Sequence, residues 1–238
     1  SIDGPTEFMQ TNIIGTFNLL EALKLYPSDH LILASTSSVY GSESKVPAHE
    51  GLKANTPISL YAATKKATEV ISHSYSHLYG LPITAARFFT VYGPWGRPDM
   101  ALYKFTSSII NGLPIELYNS GEMIRDFTFV DDLVDTLFKV ASLYPVRATD
   151  TNGLNKPPYR ILNIGNSKPV KLMDYLSVLE DALGKTAQKT MLPIQPGEVI
   201  ETFADNNKLL TLIGKPKYTP IEVGIPKFVE WFNIYNKI

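Results

Sequence analysis

A tyrosine and a lysine four residues apart, Tyr61 and Lys65, are the side chains of this sequence best suited to acid–base chemistry. A helix places residues with this spacing on one face, so the lysine ammonium can stand beside the phenol. The positive charge then lowers the pKa of the phenol, which makes Tyr61 a candidate general base near neutral pH. The pair alone is a weak signal, because any surface Tyr–Lys pair on a helix has the same spacing.

A cluster of hydroxyl side chains precedes this pair. The residues STSSVYG, 35–41, follow the apolar run LILA. A short apolar run with polar flanks predicts a buried strand of a parallel sheet, and ligands bind at the carboxyl ends of such strands. Serine and threonine also end strands for purely structural reasons. The hydroxyl cluster and the Tyr–Lys pair on consecutive strand–helix units, 25 residues apart from Thr36 to Tyr61, favour an active site.

The elements that must position these side chains alternate between helices and strands. Apolar residues at helical spacing predict a helix over 7–25, and a second helix over 60–79 ends at Gly80. Buried strands are predicted at 31–36 and 81–89, so the pattern indicates a parallel sheet with crossover helices. Beyond residue 91 the elements are shorter: helices are predicted at 100–111, at 132–144 with Asp131 as its cap, at 172–183 and near the C-terminus, and strands at 114–119 and 160–165.

The composition excludes several classes of protein. The 238 residues include 22 Lys and Arg against 23 Asp and Glu, and 44% are apolar. The net charge of −1 argues against a partner that is a nucleic acid or a membrane surface, because both attract a basic excess. The chain has no cysteine, which excludes disulfides and zinc–thiolate sites and fits a cytoplasmic protein.

Over essentially its whole length the sequence resembles the extended short-chain dehydrogenase/reductase superfamily, in particular its NAD-dependent nucleotide-sugar epimerases and dehydratases. The segment RFFTVYGPWGRPDMA is most similar to the UDP-glucuronate 4-epimerases of capsular polysaccharide biosynthesis. The resemblance implies an α/β fold, made of the C-terminal part of a Rossmann-like parallel sheet and a smaller mixed α/β substrate-binding lobe. The similar segments include TNIIGTFNLLEA, ASTSSVYG, PISLYAATKKATE, RDFTFVDD and ILNIGNSKPVKLMDYLSVLEDALG.

The resemblance also implies a domain organisation. Residues 1–91 correspond to the remaining half of the NAD-binding domain, and residues 92–238 mainly to the nucleotide-sugar lobe, with about 160–166 returning to the main sheet. The helices at 7–25 and 60–79 match those that the family packs into a four-helix dimer interface, so a homodimer is expected. Their apolar faces could instead belong to the core of one chain.

By the same resemblance the reaction is 4-epimerisation of a UDP-sugar through a transient 4-keto intermediate, with NAD as cofactor. Tyr61 is the catalytic base. Lys65 binds the nicotinamide ribose and acidifies Tyr61, and Ala34 also contacts the cofactor. Thr36 hydrogen-bonds the reacting hydroxyl of the sugar.

Further residues are expected to bind the substrate. Relatives that dehydrate or decarboxylate tend to carry an acid where this chain has Ser38, so the serine favours epimerisation. Arg97 is the candidate for gripping the carboxylate of a glucuronate, which would otherwise be lost from the 4-keto intermediate. The remaining candidates are Ser37, Thr90 at the sugar or a phosphate, Tyr118 at the uracil or in the core, and Arg125 at the diphosphate or in a surface ion pair with Asp126.

One signature of the superfamily is missing from this sequence. The chain contains no GxGxxG or GxxGxxG turn for the cofactor phosphates, so about 90–100 residues are expected to precede it in an intact enzyme, and the chain alone is expected to be inactive. A UDP-glucose/galactose 4-epimerase and a non-catalytic UDP-sugar-binding or interaction fragment are the alternatives. No metal is expected, because His73 and His77 lack a third ligand.

Overall fold

The structure, a computed structural model, describes residues 4–43, 45–149, 151–195 and 199–237. The helices are α1 (Pro5–Phe8), a π-helix (Met9–Ile14), α2 (Gly15–Leu25), α3 (Leu60–Tyr79), α4 (Ala101–Ile110), α5 (Val130–Ala141), α6 (Leu172–Leu183), α7 (Asn207–Ile213) and α8 (Ile221–Asn236). The strands are β1 (Leu31–Thr36), β2 (Ile83–Phe88), β3 (Thr90–Tyr92), β4 (Ile115–Tyr118), β5 (Ile124–Phe129), β6 (Ala148–Thr149), β7 (Asn155–Lys156), β8 (Tyr159–Ile164), β9 (Pro169–Lys171), β10 (Lys189–Leu192) and β11 (Glu201–Thr202).

Three parallel strands in the order β1-β2-β8 form the main sheet. Strand β2 lies in the middle, and its residues from Ile83 to Arg87 are buried, as its apolar sequence predicts. The α/β fold with a parallel sheet is therefore confirmed. Because β8 pairs with β2, a segment late in the chain lies beside the early strands. The division of the chain at residue 91 stays a prediction.

Helix α3 crosses between β1 and β2 and carries the Tyr–Lys pair. The side chain of Ser59 caps its start by accepting a hydrogen bond from the backbone N–H of Ala62 at 3.2 Å. Gly80 ends it in the left-handed conformation, at φ 74°. Both ends of the helix are therefore fixed by local sequence, and Tyr61 lies in its first turn.

The second part of the chain packs around an aromatic core. Tyr175 of α6 stacks on Phe127 of β5, with ring centroids 3.9 Å apart. Phe228 and Phe232 of α8 belong to the same buried cluster. The parallel pairs β4–β10 and β3–β5 build small sheets against these helices. This part positions the loops that face the main sheet.

Asp126 connects β5 to the segments that follow β8 and β11. Its side chain is fully buried and accepts hydrogen bonds from the backbone N–H groups of Asn166 at 2.7 Å, Ser167 at 3.0 Å and Ala204 at 2.9 Å. A Cβ added at Gly165 would lie 2.6 Å from the carboxylate, so only glycine leaves room there. Asp126 therefore has an internal, structural role and its carboxylate faces the backbone.

The predicted cap of α5 is wrong. Helix α5 begins at Val130 with Phe129 as its N-cap residue, and Asp131 lies in the first turn. The neighbouring Asp132 instead accepts hydrogen bonds from the backbone and hydroxyl of Thr219, at 2.6 and 2.9 Å. A tertiary contact thus replaces the expected local one.

In the part of the chain that the structure describes, no helix is long and apolar enough to cross a membrane.

Candidate active site

A cavity of about 710 Å³ opens at the carboxyl ends of β1 and β2. Six of the residues singled out in the sequence line it together. They come from the end of β1, the start of α3, the segment after β2 and the loop that follows β3. These six are Thr36, Ser37, Ser38, Tyr61, Thr90 and Arg97.

Tyr61 projects into this cavity from the first turn of α3, beside Phe8 of α1. The two ring centroids are 5.9 Å apart and the rings meet edge to face, at 79°. Phe8 also lines the cavity, so it forms an apolar wall next to the phenol. The sequence analysis missed Phe8, since the helical spacing of residues 7–25 does not show which apolar side chain reaches the site.

Lys65 lies one turn further along α3 and reaches the end of β1. Its Nζ donates a hydrogen bond to the backbone carbonyl oxygen of Ala34 at 3.0 Å. Burial lowers the pKa of the Lys65 amino group. The structure thus brings Lys65, Ala34 and Thr36 to the same strand end, as expected if the lysine and the strand serve one ligand.

The hydroxyl cluster is ordered by its own hydrogen bonds. Thr36 Oγ1 donates to Ser38 Oγ at 3.1 Å and accepts from the backbone N–H of Ser38 at 3.2 Å. Thr36 is mostly buried, whereas Ser38 is exposed. The turn after β1 therefore holds the threonine hydroxyl in a fixed direction at the cavity.

Arg97 lies in the loop that forms one side of the cavity. Its Nε donates to Asp99 Oδ1 at 3.0 Å and its Nη2 to Asp99 Oδ2 at 2.8 Å, and both side chains are exposed. This is the two-pronged geometry by which a guanidinium grips a carboxylate. In the same loop Trp95 packs on Trp231 and Tyr235 of α8, with ring centroids 5.4 and 5.6 Å away.

Arg125 lines a second, smaller cavity of about 210 Å³, which shares Ser37, Ser38 and Thr90 with the first. Its Nη1 donates to the carbonyl oxygens of Ile124 at 3.0 Å and Ile200 at 2.9 Å. The shared residues show that the two cavities are adjacent. The arginine is thus next to Ser37, Ser38 and Thr90, and its contact with a diphosphate stays a prediction.

Tyr118 is the predicted site residue that the structure does not bring to the others. Its hydroxyl donates to Glu116 Oε2 at 3.0 Å on β4, and neither cavity includes Tyr118 among the described residues that line it. Its proposed contact with a uracil stays a prediction.

His73 packs its ring edge to face against Tyr159, 5.1 Å between centroids, and the described residues contain no group of three or more metal-ligating acids or histidines.

The parallel sheet, together with a Tyr–Lys pair and a threonine at its carboxyl edge, defines a site of the short-chain dehydrogenase/reductase type. Comparison with known proteins identifies the family. The model of the NAD dependent epimerase/dehydratase family matches residues 1–165. The chain therefore belongs to this family.

Individual relatives agree with this assignment. The chain is 45% identical over 241 residues to the "Probable UDP-glucuronate 4-epimerase" of Rhizobium meliloti, covering 98% of the chain and 70% of the relative. It is 45% identical over 243 residues to Protein CapI of Staphylococcus aureus, covering 100% and 73%. Among solved structures, the UDP-glucuronic acid 4-epimerase of Bacillus cereus in complex with UDP-glucuronic acid and NAD aligns with a TM-score of 0.83 at 33% identity, covering 95% of this chain and 68% of that one.

Proposed function

We propose that this chain belongs to an NAD-dependent UDP-sugar 4-epimerase that converts UDP-glucuronate into UDP-galacturonate through a transient 4-keto sugar. The observation that carries the proposal is the single cavity shared by a candidate base, Tyr61, a hydroxyl partner, Thr36, and a guanidinium, Arg97. The relatives named as UDP-glucuronate 4-epimerases support this substrate.

The residues present fit one half of the cofactor. Lys65 Nζ, held at the carbonyl of Ala34 next to Tyr61, offers a hydrogen-bond donor of the kind that binds the hydroxyls of the nicotinamide ribose. The sequence has no Gly-rich turn for the cofactor phosphates, so the described residues account for the nicotinamide end only. NAD, when bound, would supply the hydride acceptor for C4 of the sugar and the hydride donor for the reverse transfer.

The chain's own residues move the proton and hold the sugar. Tyr61, as phenolate, takes the proton of the 4-hydroxyl and later returns it to the oxygen of the inverted carbon. Thr36, fixed by its bonds with Ser38, hydrogen-bonds the same oxygen and keeps it in line with the phenol.

Arg97 addresses a hazard specific to a glucuronate. Oxidation at C4 beside the C5 carboxylate creates a β-keto acid. This acid loses CO₂ when the bond between C5 and the carboxylate carbon aligns with the π system of the C4 carbonyl. The two-pronged grip that Arg97 makes on Asp99 in this structure shows that its guanidinium can hold a carboxylate in one plane. We propose that it holds the substrate carboxylate in the same manner and out of that alignment.

Arg97→His is expected to raise the KM for UDP-glucuronate by roughly 10- to 100-fold, because a hydrogen bond to a charged group contributes about 1.5–3 kcal/mol. It is also expected to release CO₂ during turnover. The measurement combines steady-state kinetics with detection of CO₂ and of the decarboxylated UDP-sugar. Binding of UDP-glucose, which has no carboxylate, serves as the control and is expected to be unchanged. Unchanged kinetics without decarboxylation would remove Arg97 from the site.

The test of the proposed function uses the full-length gene product with NAD and either UDP-glucuronate or UDP-glucose. Proton NMR of the mixture is expected to show UDP-galacturonate forming from UDP-glucuronate, with little UDP-galactose from UDP-glucose. Preferential turnover of UDP-glucose would instead identify a galactose-type epimerase. Binding of both UDP-sugars with no turnover of either would identify a non-catalytic binding protein.

We also propose a homodimer in the cytoplasm. The helices before β1 and the outer side of α3 expose large apolar side chains, such as Phe17 at 43%, Val70 at 60% and Leu78 at 63%. Such faces on two neighbouring helices support packing against a second copy. Analytical ultracentrifugation is expected to give a dimer, and Val70→Lys with Leu78→Lys is expected to shift it towards monomer. An unaltered dimer in this double variant would place the interface elsewhere.

A further inference from the structure

A fully buried ion pair lies directly behind the candidate active site. Glu69 of α3 and Arg87 of β2 have side chains that are 2% and 1% exposed. Arg87 donates from Nε to Glu69 Oε1 at 2.8 Å and from Nη2 to Oε2 at 2.7 Å. Ser35 of β1 donates its hydroxyl to the same Oε1 at 2.6 Å. One carboxylate therefore ties α3 to two strands of the main sheet.

The spacing along the chain connects this carboxylate with the site. Glu69 stands four residues after Lys65 and eight after Tyr61, so the three side chains follow one another on one face of α3. On β1, Ser35 stands between Ala34, whose carbonyl accepts the Lys65 hydrogen bond, and Thr36. The bond from Ser35 to Glu69 therefore lies next to both groups that face the Tyr–Lys pair.

The charges around Glu69 keep it ionised. Lys66 Nζ lies 3.2 Å from Oε2, and the guanidinium of Arg87 lies 4.7 Å from the ring centroid of Tyr40. From β8, the Tyr159 hydroxyl donates to the backbone carbonyl of Glu69 at 3.0 Å. Burial raises the pKa of Glu69, but the bonds from Arg87 and Ser35 outweigh it and hold the pKa below its usual range.

Docking of a helix on a sheet does not require such a pair. Apolar side chains of similar volume give comparable or greater stability, because removing two charges from water is costly. Apolar contacts are not directional, however, and tolerate small shifts of the helix. A two-pronged guanidinium–carboxylate bond with an added hydroxyl bond specifies one register, since a shift of about 1 Å breaks all three.

We propose that Glu69 and Arg87 are positioning residues of the epimerase: their ion pair sets the register of α3 on β1 and β2, and so holds Tyr61 and Lys65 in place against Thr36. The inference rests on the proposed function for the roles of Tyr61 and Lys65. Neither Glu69 nor Arg87 lines the two cavities among the described residues, so both act through other side chains.

The test replaces the pair by apolar residues, Glu69→Leu with Arg87→Met, in the full-length gene product, so that no unpaired charge remains buried. The expected result is a kcat for UDP-glucuronate that is about 10- to 100-fold lower, because displacements of about 1 Å in a site have effects of this size. The KM is expected to change less than threefold. The crystal structure of the variant is expected to show Tyr61 and Lys65 displaced by about 1 Å relative to Thr36.

Two features of the design separate positioning from folding and from the proposed function. Arg87→Lys keeps the positive charge but removes the two-pronged bond of the guanidinium to Glu69. The same measurements are made on this variant if the double variant does not fold. The position of α3 is measured without turnover, as the distance between Tyr61 Oη and Thr36 Oγ1 in the crystal structure of each protein. A wild-type protein that turns over no UDP-sugar would overturn the proposed function, while this distance still decides the positioning.

The matched control is Glu21→Gln. Glu21 of α2 also bonds a side chain of α3, the hydroxyl of Tyr75, but on the outer side of the helix. This variant is expected to leave kcat and the distance between Tyr61 and Thr36 unchanged. If the folded pair variants keep kcat within threefold and the same Tyr61–Thr36 distance as the wild type, the ion pair has no positioning role and the inference is wrong.

Discussion

Tyr61→Phe is expected to lower kcat for UDP-glucuronate epimerisation by about 10³-fold or more. Removal of a general acid–base group commonly reduces rates by 10²- to 10⁴-fold, and in the proposed reaction the phenol serves in both proton transfers. A 10³-fold loss corresponds to about 4 kcal/mol of lost transition-state stabilisation. The change removes a single oxygen atom at the wall of the cavity, so the binding of the UDP-sugar is expected to remain within a few-fold of wild type.

The measurement is the initial rate of UDP-galacturonate formation at saturating substrate, together with the Kd of UDP-glucuronate from calorimetry. The matched control is Tyr79→Phe, the same change five turns further along α3, where the ring packs under Lys24 with its Nζ 4.6 Å from the centroid. This control is expected to keep the wild-type kcat. A Tyr61→Phe variant that retains more than a tenth of kcat would show that another group is the base.

The sequence was sufficient to predict the elements that carry the site. The bounds predicted for α3 agree with the structure because both of its ends are marked locally, by Ser59 before it and Gly80 after it. The strand before the hydroxyl cluster was predictable from its short apolar run, but its expected burial is wrong: β1 lies at the edge of the described sheet, and residues 31–34 are half-buried or exposed. Local patterns of this kind fix an element wherever tertiary contacts do not compete with them.

Contacts between distant residues were not predictable in the same way. No local pattern identifies Glu69, 18 residues away on another element, as the partner of Arg87. The position of Phe8 against Tyr61 likewise depends on how α1 packs on α3. Asp131 has the residue type of a helix cap, yet the helix begins one residue earlier in the chain. In each case the packing of elements decides, and the residue type alone is not sufficient.

Asp126 provides the second large effect, on stability. Its carboxylate is the acceptor for three buried N–H groups, which belong to the segment after β8 and the segment after β11. A buried donor left without an acceptor costs about 1–3 kcal/mol. Burial raises the pKa of Asp126, and the three N–H groups only partly oppose it. The site therefore stabilises the fold by accepting hydrogen bonds rather than by favouring the charge.

Asp126→Ala is accordingly expected to lower the free energy of unfolding by about 3–6 kcal/mol, a large part of the 5–15 kcal/mol typical of a domain. Asp126→Asn is expected to cost less, because its amide oxygen still accepts two of the bonds while its NH₂ opposes the third donor. Urea denaturation followed by circular dichroism measures both. The control is Asp135→Ala on the exposed side of α5, expected to change stability by less than about 0.5 kcal/mol. Equal effects of Asp126→Ala and the control would mean that water replaces the carboxylate, and that Asp126 does not hold β5 to the segments after β8 and β11.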